Sequence, residues 1–488
     1  MPGLRSRRRC PQSWRESCLS DGLAGAKSVV WPRRAIREEV CDRQPVTYDP
    51  APLRRPLAVD LFSGVGGLAL GFEQAGFDVV AAVEYDPVHA TTHLFNFPQT
   101  EILCRDIGLV TADQVRAAAR KGFARVRPDE KWDGRLDALI GGPPCQGFSS
   151  GGKREDGDAR NELLGHFVRL VEELRPATFC LENVNGLLES KFDVVREGAF
   201  KRLRAAGYAL SGTDSAVDAV NFGVPQGRKR VLVLGTLGDR PPGRPAQVSG
   251  SITVEQALSG LPDPSTYDVL LQSDEATLSD VDLLARSASQ SAYARRLAGL
   301  DSDVLDLSYE RAWDPGLLTS SRRTIHQAEV VKRFGETLPG TVEPISRFYR
   351  LPLDGPSRTL RAGTGSERGS HTSPRPIHPT EPRVITAREA ARLHGYPDWF
   401  RFHTTNWHAH RQIGNSVPPP LARAAAQALI DALHVEPARP GAVEASDSSL
   451  LSLSPRGSEL RLMDVVVEQL PKKRRRPVSS EDAEQSAS

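Results

Sequence analysis

Five short apolar runs recur through the first half of the chain: PLAVDLF (56–62), VVAAVE (79–84), LDALIGG (136–142), ATFCLEN (177–183) and VLVLGT (231–236). Stretches with helical periodicity lie between them. In NELLGHFVRLVEELRP the residues Leu163, Phe167, Leu170, Val171 and Leu174 fall on one face, and the helix is expected to stop before Pro176. Runs this uniformly apolar, alternating with helices, predict a doubly wound, mostly parallel α/β sheet covered on both faces. Ligands on such sheets bind beyond the carboxyl ends of the strands. Phe62, Glu84, Cys145 and Glu182 all sit at or just past predicted strand ends, so the candidate chemistry gathers on one edge.

The pattern does not fill the chain. Residues 1–54 mix Arg, Ser and Pro without a period and are expected to form a disordered extension. Over 237–356 Pro, Gly, Ser and Asp recur and regularity is lost; it resumes with ITAREAARLHGYPDWF, where Thr386 and Glu389 make a capping box. VPPPLARAAAQALIDALH (417–434) reads as a last helix, and 435–488, rich in Ser, Pro and charge and including KKRRR at 472–476, is expected to be disordered. The net charge is only +2, so any nucleic-acid surface must arise from local clustering. The start MPGLRSRRRC is too polar for a signal peptide, and no run of about 18 apolar residues is present to span a bilayer. A cytoplasmic protein with reduced thiols and no membrane association is expected. The six cysteines, Cys10, Cys18, Cys41, Cys104, Cys145 and Cys180, include no CxxC pair, and no metal site is expected.

Three stretches carry candidate chemistry. In GGPPCQGFSSGG (141–152), Pro143 and Pro144 each remove a backbone donor and fix φ, while small residues surround Cys145. This is either a surface turn with an incidental cysteine or a thiol held in an open pocket so that it can attack. In DLFSGVGGL (60–68), Gly64, Gly66 and Gly67 permit a tight strand-to-helix turn; Glu84 ends the next strand roughly 20 residues on, where an acid can bond ribose hydroxyls. The turn is neither GxGxxG nor a P-loop, so with Asp106 in CRDIG an adenosine-type ligand without a polyphosphate is the better fit. Glu182 is either an exposed edge carboxylate or, if partly buried, an acid able to deliver a proton. In NFGVPQGRKRV (221–231), Arg228 and Arg230 are two apart and share a face, so both can point into one pocket or form a solvated basic strand.

Taken in order, DLFSGVGG, PPCQ, ENV, QGRKR and QIGNSVPPPLA (412–422) resemble the motif set of the DNA (cytosine-5)-methyltransferases of bacterial restriction-modification type, over residues 57–236 and 357–434. The resemblance implies that the Cys145 thiolate adds to C6 of a cytosine turned out of the duplex, that Glu182 protonates or hydrogen-bonds N3, and that Arg228 and Arg230 hold the base. C5 then takes a methyl group from S-adenosyl-L-methionine. Phe62, Gly64, Gly66, Glu84, Asp106, Ile107, Pro143 and Asn415 match cofactor-site positions. The third motif reads CRDIG where the family often has Gly before the Asp. The chemistry is consistent with this assignment: a stacked base is out of reach, and covalent addition divides methylation of an unactivated carbon into easier steps.

The same resemblance implies a catalytic and cofactor-binding domain at 55–236 and a target-recognition domain at 237–356, ahead of SRTLRAGTG (357–365); 357–434 returns to the catalytic domain. It also implies a monomer acting on double-stranded DNA, with a cognate restriction endonuclease encoded nearby. Arg322, Arg323, Lys332, Arg333 and Arg347 are available for base or phosphate contact, or as solvated charges. An RNA cytosine methyltransferase on the same scaffold is the rival enzyme, disfavoured by the long 237–356 segment. A silent DNA-binding module would require loss of a working group, and none is lost. A zinc deaminase would need an H-x-E…PCxxC pattern that is missing.

Overall fold

The computed structural model describes residues 54–144, 162–289, 291–363, 375–444 and 446–462. Its centre is a sheet of β1 (Leu57–Leu61), β2 (Asp78–Glu84), β3 (Glu101–Cys104), β4 (Ala138–Gly141), β5 (Thr178–Val184), β6 (Tyr208–Ser211), β7 (Ala216–Asp218) and β8 (Lys229–Leu237). The order is β3-β2-β1-β4-β5-β8-β6, with β7 also paired to β8. β1 to β5 run parallel, whereas β8 is antiparallel to β5, β6 and β7. All five apolar runs are strands of this mostly parallel sheet. β3, β6 and β7 went unread because each is at most four residues long and none is a continuous apolar run.

Helices α1 (Gly67–Gln74), α2 (Pro87–Asn96), α3 (Ala112–Val126), α4 (Glu162–Leu174) and α5 (Asp193–Ala205) follow the strands. One apolar layer joins Val115, Phe167, Phe179 and Phe200; the other joins Phe72, Phe77 and Phe97 to the C-terminal helices. α4 buries Leu164, Phe167, Val168, Leu170, Val171 and Leu174, with Leu163 only partly covered. Arg175, at φ +49°, closes it before Pro176.

Over 237–356 the described elements are short, as the loss of pattern implies: α6 (Val254–Leu258), β9 (Ala276–Thr277), α7 (Asp280–Ser287), α8 (Ala292–Leu297), β10 (Glu310–Arg311), β11 (Leu317–Leu318) and α9 (Ala328–Glu336). Regular structure returns with α10 (Ala387–His394), which starts on the expected Thr386–Glu389 capping box, then α11 (Asn406–Asn415) and α12 (Pro419–Leu433). α12 lies directly on α1. A Cβ added at Gly71 would stand 2.4 Å from the Ala422 Cβ, so the two helices meet this closely only because that position has no side chain. β12 (Ala442–Val443) pairs with β10.

The expectation of a disordered 435–488 is corrected in its first part. Residues 448–452 form a 3₁₀ turn and Pro455–Leu462 form α13, with Leu450, Leu451 and Leu462 buried. The segment's Ser, Pro and charge average concealed a few leucines that become buried, and burial depends on placement, not on the mean. Residues 463–488, with the KKRRR run, lie outside the described residues, as do 1–53. Arg54, assigned to the disordered extension, instead pairs with Asp137 at 2.7 Å. Among the described residues no helix is long and apolar enough to cross a membrane.

Candidate active site

The parallel strands deliver their carboxyl ends to one edge in the order β3, β2, β1, β4, β5. After β1 the chain turns sharply through left-handed backbone at Phe62 (φ +59°), Gly64 (φ +55°) and Gly66 (φ +96°). Gly66 cannot be replaced without a clash, since a Cβ there would lie 2.3 Å from the Phe97 ring. For a bulky residue such as Phe62 this conformation costs on the order of 1–3 kcal/mol, the kind of strain that clusters at ligand sites. Nothing lies within 4 Å of a Cβ built on Gly64, so the backbone there faces open space.

Glu84 ties the end of β2 to the glycine turn after β1. Its Oε2 accepts from the Gly64 amide at 2.7 Å and its Oε1 from the Asp86 amide at 2.8 Å. Burial pushes its carboxyl up, with His89 and the two amides opposing. Asp106 follows β3, is exposed, and accepts from the Gly108 amide at 2.9 Å; Ile107 beside it is buried. Asn415 is the exposed last residue of α11. An open glycine backbone, an acid beside it and a second acid at the next strand end suit an adenosine-type ligand, and no lysine stands in the turn to meet a polyphosphate.

Asp60, one residue before the end of β1, is buried, and its carboxyl is held well above the ordinary value of 3.8 by desolvation and then by Glu84, the Ala69 amide opposing. The folded chain therefore holds this proton more tightly than the unfolded chain. Stability is lost as pH rises from about 3.8 toward the raised value, because the unfolded carboxyl ionises first. Urea midpoints of an Asp60→Asn chain should improve relative to the parent as pH is raised from near 3 to 7. A stability difference that stays flat across that range would refute the assignment.

On the other side of β1, Pro143 is buried and Pro144 exposed just past β4. Cys145 lies outside the described residues. Glu182 is 8% exposed near the end of β5, and its Oε1 meets Arg230 Nε at 2.8 Å. The antiparallel β8 makes this pair possible: it begins where β5 ends, with Arg230 opposite Val184. A Cβ on Gly142 would stand 2.9 Å from Glu182 Oε2, so the carboxyl rests against the backbone that leads to Cys145. Asn183 Nδ2 donates to the Pro143 carbonyl at 3.4 Å, linking the same two strand ends.

Arg228 and Arg230, which by spacing share a strand face, go to different partners. Arg228 is 2% exposed and points to the C-terminal motifs: its Nη1 donates to the Leu360 carbonyl (3.1 Å) and its Nη2 to those of Gly414 and Ser416 (both 2.9 Å). Burial and then the charge of Arg230 pull its guanidinium well below the ordinary arginine value. Sharing a strand face fixes only where a side chain starts; the carbonyls of a segment more than a hundred residues away decided where this one went. Gln226, which motif reading passed over, completes the join. Its amide nitrogen reaches the Leu393 carbonyl and His394, and its Oε1 accepts from the Leu360 amide at 3.0 Å. Its presence in QGRKR beside the arginines was the signal available. An Arg228→Met chain should lose at least about 2 kcal/mol of stability, since buried carbonyls left without a donor cost about 1–3 kcal/mol each. A denaturant midpoint unchanged from the parent would contradict this.

Comparison with known proteins agrees with this geometry. The profile of the C-5 cytosine-specific DNA methylases matches residues 58–431. The chain is 45% identical over 403 residues to the Type II methyltransferase M.XorII of Xanthomonas oryzae pv. oryzae, spanning 82% of this chain and 91% of that one. It is 31% identical to M.AgeI of Thalassovita gelatinovora, over 76% of this chain and 98% of the relative. Among solved structures, a DNA modification methyltransferase encoded within a prophage (E. coli) superposes with a TM-score of 0.61 at 34% identity, covering 77% of this chain and 99% of that one. The chain therefore belongs to the C-5 cytosine-specific DNA methylases and is a DNA (cytosine-5)-methyltransferase.

Proposed function

We propose that this enzyme methylates C5 of cytosine within a specific double-stranded DNA sequence, through a covalent bond between Cys145 and C6 of a base turned out of the helix. The observation that carries the reading is the contact of the Glu182 carboxyl with Gly142, three residues before Cys145, while Arg230 holds its other oxygen. The acid thus stands beside the backbone that leads on to Cys145, which supports the reading that thiol and acid serve one base. As the sulfur bonds to C6, Glu182 in its protonated form gives a proton to N3, the C5=C6 double bond opens, and C5 becomes nucleophilic. S-adenosyl-L-methionine supplies the methyl group that C5 takes. Loss of the C5 proton to solvent then expels the Cys145 sulfur, N3 returns its proton to Glu182, and the ring is restored. Phe62, Gly64, Gly66, Glu84, Asp106, Ile107, Pro143 and Asn415 would hold that cofactor. Arg230 orients the acid and the base, and Arg228 secures the pocket from behind.

On this reading residues 237–356 recognise the target sequence in the major groove. The relatives' names as Type II methyltransferases support a role in a restriction-modification system, in which methylation protects host DNA from a cognate endonuclease. Expression in a host without its own cytosine methylation, followed by bisulfite sequencing, should reveal 5-methylcytosine at one short recurring duplex sequence. Purified enzyme should label duplex DNA and leave RNA unlabelled; the reverse preference would replace the DNA reading with the RNA one. Failure of the methylated sequence to resist any endonuclease encoded beside this gene would remove the protective role.

A further inference from the structure

Residues 446–462 lie past residue 431, where the match to the family profile ends, yet they are built into the edge that carries Glu84. On one side they grip α2. The Ser446 hydroxyl donates to the Leu94 carbonyl, and Ser458 Oγ meets Thr91 Oγ1 at 3.2 Å with both residues fully buried. Thr91 spends its own proton on the Val88 carbonyl, so Ser458 is the donor in this pair. Leu462 is 1% exposed and packs with Ala82 of β2, Ala90 of α2, and Ile102 and Cys104 of β3. On the other side the segment meets the entry to α11. The Leu451 carbonyl accepts from the Thr404 amide at 2.9 Å, and the Leu453 carbonyl lies 3.1 Å from His403 Nε2.

The two gripped helices are those that frame the cofactor residues. α2 begins at Pro87, just after Asp86, whose side chain caps its first amides and whose own amide donates to Glu84. α11 ends at Asn415. Between them Arg411 meets Asp86 at 3.1 Å, and Gln412 donates to Thr92 at 3.0 Å. A displaced α2 would carry Asp86 with it, and Glu84 would lose one of its two amide donors.

We propose that residues 446–462 are a positioning brace that sets affinity for the adenosine-bearing cofactor without touching the reacting base. Ser458 and Leu462 are its positioning residues. The proposal rests on the reading of Glu84 as a cofactor ligand. In the full-length enzyme, Leu462→Asp places a charge in the apolar cluster and should release α13, while Leu462→Met should keep it in place. For Leu462→Asp, the calorimetric Kd and the KM for S-adenosyl-L-methionine should rise about tenfold. The kcat at saturating cofactor and the KM for DNA should not change, and Leu462→Met should behave as the parent. A brace that merely stabilised the fold would instead lower the active fraction, and so kcat, with cofactor KM unchanged; that result overturns the proposal. So does an unchanged cofactor Kd when hydrogen exchange shows residues 455–462 unprotected. Should Leu462→Asp fail to fold, Ser458→Ala decides, with a two- to threefold rise expected in cofactor Kd alone and an unchanged Kd refuting the brace. Glu84→Gln is measured beside them. If it leaves cofactor Kd unchanged while Leu462→Asp raises it, the assignment of Glu84 fails and the brace stands; the opposite pattern sinks the brace.

Discussion

A Cys145→Ser chain should transfer no measurable methyl group to duplex DNA, a loss of at least about 10³-fold in kcat, while binding S-adenosyl-L-methionine as the parent does. A serine hydroxyl keeps the shape of the side chain but is far less nucleophilic than a thiolate near neutral pH, so the addition to C6 is lost while the cofactor residues at the ends of β1, β2 and β3 are untouched. A companion experiment isolates the covalent step. Target DNA with 5-fluorocytosine has no C5 proton to lose, so the parent enzyme should accumulate as a denaturation-resistant protein–DNA adduct in the presence of cofactor. The Cys145→Ser chain should form none. Turnover by the serine variant, or an adduct on another residue, would remove Cys145 from the mechanism.

The second large effect concerns the buried pair of Glu182 and Arg230. Glu182→Gln keeps an oxygen to accept from Arg230 but has no proton to deliver, and kcat should fall about 10²–10³-fold with stability close to the parent. Arg230→Ala is different in kind. It leaves a carboxylate that is 8% exposed without its partner, and breaking a buried pair from one side costs about 3–5 kcal/mol. The double variant, Glu182→Gln with Arg230→Ala, should recover most of that stability and none of the activity, since the stranded charge is gone and the acid is gone too. A double variant no more stable than Arg230→Ala would show that the arginine works through packing, not through the carboxylate.

What could be read in the chain divides along a physical line. β1, β2, β4, β5 and β8 were legible because strands buried on both faces must be uniformly apolar. Phe62, Glu84 and Glu182 could be placed because each stands at or just past the end of such a strand. Arg228 was not, because an extended segment specifies a face while the carbonyls of Leu360, Gly414 and Ser416 come from sequence far away. Gln226 and Asn183 were passed over for a related reason: an uncharged amide announces nothing until the backbone it joins is in place. The C-terminal brace escaped because averaging over 435–488 diluted the leucines that seat it.

The seating of α12 on the glycine face of α1 also orders events during synthesis. α1 spans Gly67–Gln74, and its partner at Pro419–Leu433 is translated some 350 residues later. Until then the ribosome holds a nascent sheet with one apolar layer bare, and contacts of such long sequence separation form slowly. The growing polypeptide thus cannot seat α1 until α12 has been made.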